Sequence, residues 1–118
     1  MSTESHIPIL ALLNQLKPEN NAHNSGIKRV FVNHHQVQSA LTQFAHGTMQ
    51  PGQESGFHAH ATMDEYFYFI KGEGIYTINE QEYKAMPETF IRIGAGSKHN
   101  LKNNSTIPLE FVYFGVAL

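Results

Sequence analysis

From Lys28 onward the chain is divided into short apolar segments at regular intervals, and this spacing limits the folds open to it. The segments are separated by turn-forming residues such as Pro51-Gly52, Gly72-Glu73-Gly74 and Asn103-Asn104-Ser105. Glycine, proline and asparagine favour turns because they tolerate or impose backbone angles that other residues avoid. The pattern predicts an all-β fold, an antiparallel sandwich or barrel. The predicted strands are Arg29 to Val32, Val37 to Met49, Gly56 to His60, Glu65 to Lys71, Gly74 to Ile78, Gln81 to Lys84, Thr89 to Ile93, His99 to Lys102 and Leu109 to Val116.

The first 27 residues follow a different pattern, which predicts an N-terminal arm in front of a β-barrel domain spanning residues 28–118. Apolar residues recur at helical spacing from Ile7 to Leu16, and this favours a short amphipathic helix that ends before Pro18. The asparagine-rich segment from Pro18 to Gly26 is predicted to be a loop.

Composition restricts the partners that we expect. The chain has 118 residues, of which 41% are hydrophobic, and this is the size of one domain with its own core. The formal net charge is -2 and there is no run of lysine or arginine, so we expect neither nucleic acid nor a membrane surface as a partner. Cysteine is absent, which excludes disulfides and thiolate metal sites. No segment approaches the roughly 18 apolar residues of a membrane span, and the expected location is cytoplasmic.

Two predicted strands are apolar on both faces, namely Tyr66 to Ile70 and Phe111 to Phe114. A strand buried on both sides of an antiparallel sheet needs a second layer outside the core. The N-terminal helix or a second copy of the chain would supply that layer. We expect a homodimer.

Four residues have the chemistry and spacing of metal ligands. His58 and His60 are two apart, so on a strand both imidazoles point to the same side. The stretch from Ala61 to Asp64 allows a reversal that brings Glu65 beside them, and His99 is the one histidine further along the chain. Three imidazole nitrogens and one carboxylate oxygen suit a divalent transition metal ion.

The other histidines are weaker candidates. His34 and His35 are adjacent, so on a strand they point to opposite faces and do not enter one site together. For His46, a surface position is favoured over one that lines the mouth of a barrel.

Several polar or charged side chains in the predicted strands also bear on function. Tyr68, Tyr76 and Tyr113 each carry a hydroxyl that orients a substrate or lies in a dimer interface, and the sequence leaves both roles open. Arg92 points away from its apolar neighbours and is expected to form an ion pair on the outside of the sheet rather than to bind an anion.

The ligand pattern resembles the cupin family. Residues 52–72 match the first cupin motif, Gly-x5-His-x-His-x(3,4)-Glu-x6-Gly, at every specified position. Residues 88–103 are similar to the second motif, Gly-x5-Pro-x-Gly-x2-His-x3-Asn, through Gly96, His99 and Asn103. They depart from it at Glu88, where the family has glycine, and at Gly94, where the family has proline. Neither position is a ligand position.

The resemblance covers roughly Val37 to Val116 and does not extend to the N-terminal arm. It implies that this part of the chain forms a double-stranded β-helix, or jelly-roll barrel. It also implies that His58, His60, Glu65 and His99 hold one divalent ion, which in cupins is iron, manganese, nickel, zinc or copper. The family includes dioxygenases, decarboxylases, isomerases and proteins without catalytic activity. The implied function is therefore an enzyme acting on a small organic molecule, dioxygenase-like or an isomerase or decarboxylase. The alternative is a metal-dependent module that binds or senses a small molecule, for example a carbohydrate.

Overall fold

A computed structural model describes residues 9–21 and 25–118, and almost all regular structure in these ranges is β-strand. Two single turns of 3-10 helix lie at Leu13–Gln15 and His34–Gln36. No helix in the described ranges is long and apolar enough to span a membrane. The strands are β1 (Glu19–Asn20), β2 (Ile27–Asn33), β3 (Leu41–Met49), β4 (Met63–Lys71), β5 (Gly74–Ile78), β6 (Gln81–Ala85), β7 (Phe90–Ile93), β8 (His99–Lys102) and β9 (Leu109–Ala117).

The strands form two antiparallel sheets that face each other. The larger sheet has the order β1-β2-β3-β9-β4-β7, and the smaller one has the order β6-β5-β8. Strands distant in sequence are neighbours in the larger sheet, because β9 lies between β3 and β4. This crossed connection is typical of a jelly roll, and it confirms the predicted fold class.

The core lies between the sheets and is built from alternate residues of the strands that face each other. Phe67 of β4 meets Tyr76 of β5 edge-on, with ring centroids 5.2 Å apart, so this pair joins the two sheets. Phe69 is fully buried and contacts both Tyr76 and Phe111. The buried cluster consists of Met49, Phe67, Phe69, Tyr76, Ala85, Ile91, Ile93, Leu101, Leu109 and Phe111.

Asn103, the last residue of the second motif, fixes the loop that follows β8. Its side chain is completely buried, and its Nδ2 donates hydrogen bonds of 2.9 Å to the carbonyl oxygens of Met49 and Ile107. Its Oδ1 accepts from the backbone N–H and the hydroxyl of Ser105, each at 2.9 Å. Because every polar group of this side chain has a partner, its burial does not carry the cost of an unpaired amide.

The outer face of the larger sheet carries exposed and half-buried apolar side chains. Tyr68 and Ile70 alternate with the buried residues of β4 and are each 45% exposed. A row of aromatic rings also crosses this face from β2 to β7, and we call it the outer aromatic row. It consists of Phe31, Phe44, Phe114, Tyr66 and Phe90, with successive centroids 5.3, 5.9, 4.9 and 6.3 Å apart.

The predicted N-terminal helix is wrong over the residues that the structure describes. Ile7 and Pro8 lie outside the described residues, and between Ile9 and Leu16 only Leu13–Gln15 form a helical turn. Ile9 and Leu10 are fully and largely exposed, so the apolar face finds little to pack against. A helix of this length is marginal without such packing.

The boundaries of two further segments also differ from prediction. Part of the predicted loop from Pro18 to Gly26 is a strand, because Glu19–Asn20 pair with β2 as β1. The strand predicted to begin at Val37 begins at Leu41, after the turn at His34–Gln36. A capping box between Asn33 and Gln36 stabilises that turn, so the strand begins only after it.

Candidate metal centre

The structure brings three of the predicted histidines together at one point in the barrel. One ligand nitrogen from each of His58, His60 and His99 lies within 4.8 Å of the others. His58 and His99 are held by two backbone hydrogen bonds, from His58 N–H to the His99 carbonyl at 3.0 Å and in the reverse direction at 2.9 Å. His60 is fixed by its carbonyl, which accepts from Gly96 N–H at 2.8 Å.

The strand predicted from Gly56 to His60 is an extended loop instead. It makes a single bridge, His58 to His99, rather than a ladder. The same-side placement of the two imidazoles nevertheless follows, because both residues are held against the β8 side of the barrel.

Glu65, the fourth predicted ligand, lies beside two of these histidines. A turn at residues 61–62 leads into β4, which carries Glu65 to the site. Its Oε1 is 3.6 Å from His60 Nε2 and 3.6 Å from His99 Nε2. Its side chain is 13% exposed, so this negative charge sits in a mostly water-excluded position next to the imidazoles.

Hydrogen bonds orient two of the rings so that the same nitrogen of each is available as a ligand. The carbonyl oxygen of Gly56 is 2.7 Å from His58 Nδ1, and that of Ser97 is 2.8 Å from His99 Nδ1. A carbonyl only accepts, so each Nδ1 carries the proton and each Nε2 presents its lone pair. Metal-binding histidines are commonly oriented in this way by their second nitrogen.

The Nε2 atom of His99 provides a test of whether a metal fits here. This atom is buried and has no hydrogen-bond partner among the described residues. An unpaired buried acceptor costs about 1–3 kcal/mol, which a bound cation would offset. Two nitrogens with bonds of about 2.1 Å to one ion lie at most about 4.2 Å apart, so small side-chain movements suffice for the observed spacing. The donor set therefore fits a divalent transition metal ion.

A cavity of about 280 Å³ opens beside these donors and runs along the inner face of the larger sheet. Much of its wall is apolar, formed by Met49, Met63, Phe67, Leu101 and Phe111. Polar residues from β2 and β3, including Lys28 and Gln43, line it as well. The sequence alone does not single out these two, because only the pairing of β2 with β3 places them on the inner face.

Two of the three tyrosines considered above line the cavity. Burial, with a smaller contribution from the Glu65 carboxylate, raises the pKa of Tyr113 to about 12 and raises the pKa of Tyr76 well above its usual range. Both phenols therefore keep their proton at neutral pH and can donate a hydrogen bond to a ligand in the cavity. Tyr68 is on the outer face of the sheet, away from the cavity.

The remaining polar candidates lie outside the cavity. His46 was expected at the surface or at the barrel mouth, but it is buried, with Nε2 3.2 Å from Glu110 Oε1. Arg92 forms the predicted outer ion pair, with Nη2 3.2 Å from Asp64 Oδ2. His34 and His35 are exposed in the 3-10 turn that directly follows β2, with ring centroids 4.0 Å apart.

Sequence comparison relates the chain to proteins of several kinds. It is 28% identical over 69 residues to an oxalate-binding protein of Thermotoga maritima, and the aligned stretch covers 58% of this chain and 57% of that protein. It is 25% identical over 68 residues to the tetracenomycin polyketide synthase protein TcmJ of Streptomyces glaucescens, covering 58% and 46% of the two chains. The chain thus spans about half the length of the curated relatives that it matches.

Structural comparison gives the same fold over a longer stretch. A crystal structure of a predicted oxalate decarboxylase of Thermotoga maritima superposes with a TM-score of 0.86 at 20% identity, covering 93% of this chain and 100% of that one. At this identity the likeness concerns the fold alone. A sequence model described as a cupin domain matches residues 45–115, which include all four candidate ligands. The chain belongs to the cupin family.

Proposed function

We propose that the protein binds one divalent transition metal ion through His58, His60, Glu65 and His99 and acts as an enzyme on a small organic molecule. The observation that carries this proposal is the buried Nε2 of His99, which has no hydrogen-bond partner among the described residues. It lies beside Glu65, which lines the cavity together with His58 and His60. Four protein donors leave positions open on a five- or six-coordinate ion, as catalytic sites require.

The chain's own residues fit this role. A bound divalent ion supplies a Lewis acid that polarises a substrate carbonyl or activates dioxygen. The apolar wall of the cavity keeps bulk water away from a bound substrate, and the protonated hydroxyls of Tyr76 and Tyr113, which line the cavity, are available to donate hydrogen bonds to that substrate. The proposed reaction class is oxygenation, or isomerisation or decarboxylation.

A second candidate function is metal-dependent binding of a small molecule without conversion. The relative named an oxalate-binding protein favours it, since its match covers 58% of this chain. The volume of the cavity, about 280 Å³, lies near the lower end of small-molecule sites and fits either role.

Protein purified without chelator tests both parts of the proposal. We expect about one transition metal ion per chain by elemental analysis, and anomalous diffraction at the metal edge should place it between the four donors. Protein that takes up no metal, even after loading, would refute the metal site. Consumption of oxygen or conversion of a candidate substrate by the loaded protein supports the enzyme, whereas saturable binding without conversion supports the binding module.

We also propose that the chain is a homodimer and that the outer aromatic row lies in its interface. Phe90 at one end of the row is 61% exposed, and Tyr68 and Ile70 beside it are each 45% exposed. A two-fold symmetric contact pairs the same patch on both copies, so an apolar face of this kind is self-complementary. Rings of this size contribute strongly to interfaces when they are desolvated.

Substituting Phe90→Lys is expected to convert the dimer to a monomer, because it places a charge in the apolar contact. Size-exclusion chromatography with light scattering measures the change. Tyr83→Lys is the matched control, since Tyr83 is also 42% exposed but lies in β6 of the other sheet. A wild-type protein that is monomeric at high concentration contradicts the proposal.

A further inference from the structure

The cavity beside the candidate metal centre has a second polar end, and its chemistry bears on the substrate. Lys28 is the only lysine or arginine among the described residues that line the cavity. It is half-buried on β2, and its Nζ donates to Gln43 Oε1 at 3.2 Å. It forms no ion pair with a described carboxylate, so its positive charge is balanced by no direct partner.

The amide groups around Lys28 are also arranged as donors. The Gln43 oxygen accepts from Lys28, and the Asn21 oxygen accepts from the backbone N–H and the hydroxyl of Ser25, at 2.8 and 3.2 Å. Because both amide oxygens accept hydrogen bonds within the protein, the NH2 group of each amide remains available to donate hydrogen bonds to a ligand. No described residue accepts a hydrogen bond from either NH2 group. This end of the cavity therefore carries one positive charge and several unused donors.

The donor end and the candidate metal centre are well separated along the sheet. Lys28 is on β2 and Glu65 is on β4, with β3 and β9 between them. The strand register places Lys28 level with Phe69, four residues along β4 from Glu65, so the two backbones are further apart than the roughly 14 Å of three strand spacings. The Lys28 side chain closes part of this gap, because its Nζ lies 3.2 Å from Oε1 of Gln43. Gln43 is level with Glu65 and two strands away from it, which is about 10 Å between backbones. A small molecule in the cavity can therefore contact both ends at once.

The geometry points to a ligand with two polar ends, a small organic acid that presents one donor group to the metal and a carboxylate to Lys28, Gln43 and Asn21. This inference rests on the proposed metal site and goes beyond it by assigning the substrate class and a specificity-determining residue. One ammonium group and two amides match the single charge of a carboxylate. A phosphate monoester carries about -1.5 to -2 charges and calls for more cationic partners than this end provides.

One carboxylate opposes the proposed contact. Glu19 of β1 lies directly opposite Lys28 in the strand register, and its charge contributes to the raised pKa of Tyr113, which lines the same cavity. The negative charge of Glu19 weakens the attraction of this end for an anion. Removing the two charges separately should therefore change anion affinity in opposite directions.

Calorimetric titration of the metal-loaded protein with succinate and with its monoamide, succinamate, tests the assignment. The two probes have similar size and differ in the charge at one end. We expect wild-type protein to bind succinate at least about tenfold more tightly, as is typical of a hydrogen bond to a charged group. Lys28→Gln should remove this preference and weaken succinate binding by about ten- to a hundredfold, with succinamate binding unchanged. Glu19→Gln should strengthen succinate binding by up to about fivefold.

The outcomes separate this inference from the proposed metal site. Lys98→Gln is the control, because Lys98 lies over Phe57 and does not line the cavity, and it should bind both probes like wild type. If the protein has its full metal content but binds both probes with equal affinity, or binds neither, the inference is wrong and the proposed metal site is unaffected. A Lys28→Gln variant that still prefers succinate over succinamate as strongly as wild type also overturns the inference without affecting the metal site. Wild-type protein that cannot be loaded with metal overturns both.

Discussion

Substituting His60→Ala is expected to reduce the bound metal from about one ion per chain to nearly none. Loss of an outer hydrogen-bond partner alone commonly weakens a metal site by about 10–100-fold, and removal of a direct ligand has a larger effect. His60 is the most informative ligand to replace because its side chain is 35% exposed, so the fold should tolerate alanine there. Elemental analysis after dialysis against metal-free buffer measures the loss.

Two further variants make this result specific to the site. His35→Ala removes an exposed histidine that lies in a 3-10 turn, and it should keep full metal content. Glu65→Gln keeps the size of the side chain but removes its negative charge, and it should also lower metal affinity. Metal content that is unchanged in His60→Ala would contradict the assignment of the ligands.

Substituting Phe69→Ala is expected to lower the free energy of unfolding by about 3–5 kcal/mol. Phe69 has no exposed surface and packs against rings from both sheets, so alanine leaves a cavity in the centre of the barrel. Small domains are stable by only about 5–15 kcal/mol, and this variant should therefore be near the limit of folding. Chemical denaturation followed by tyrosine fluorescence or circular dichroism measures the difference.

Phe57→Ala is the matched control for Phe69→Ala. The Phe57 ring is 55% exposed and contacts the Lys98 ammonium group at 5.6 Å from the ring centroid. Its loss should cost less than about 1 kcal/mol. A cost at Phe69 no larger than that at Phe57 would show that the barrel centre is not the main source of stability.

The strands predicted most accurately are those with turn residues at both ends. The observed bounds of β5 and β8 agree with prediction at each end. Gly72 precedes β5 with φ at 83°, and a side chain there would collide with the carbonyl oxygen of Pro108. Asn79 and Glu80 follow β5 in the left-handed region, as a tight hairpin requires. Such turns are encoded by neighbouring residues and can therefore be inferred from sequence.

Predictions that depended on packing partners were less successful. The N-terminal leucines have helical spacing, but a stable helix needs a surface to cover, and Leu10 is 76% exposed. His46 was expected at the surface, yet it is almost completely buried on β3, which lies between β2 and β9. The histidine itself carries no local signal for this burial.

The order of residues in the chain was sufficient to identify the fold class and four candidate ligands, because turn chemistry and motif spacing act over a few residues. The relative placement of distant strands was not accessible in this way. Lys28 and Glu65 face one cavity only because β9 returns to lie between β3 and β4. Contacts of this kind are set by the packing of the whole barrel, so the shape and charge of the cavity were decided by the tertiary structure.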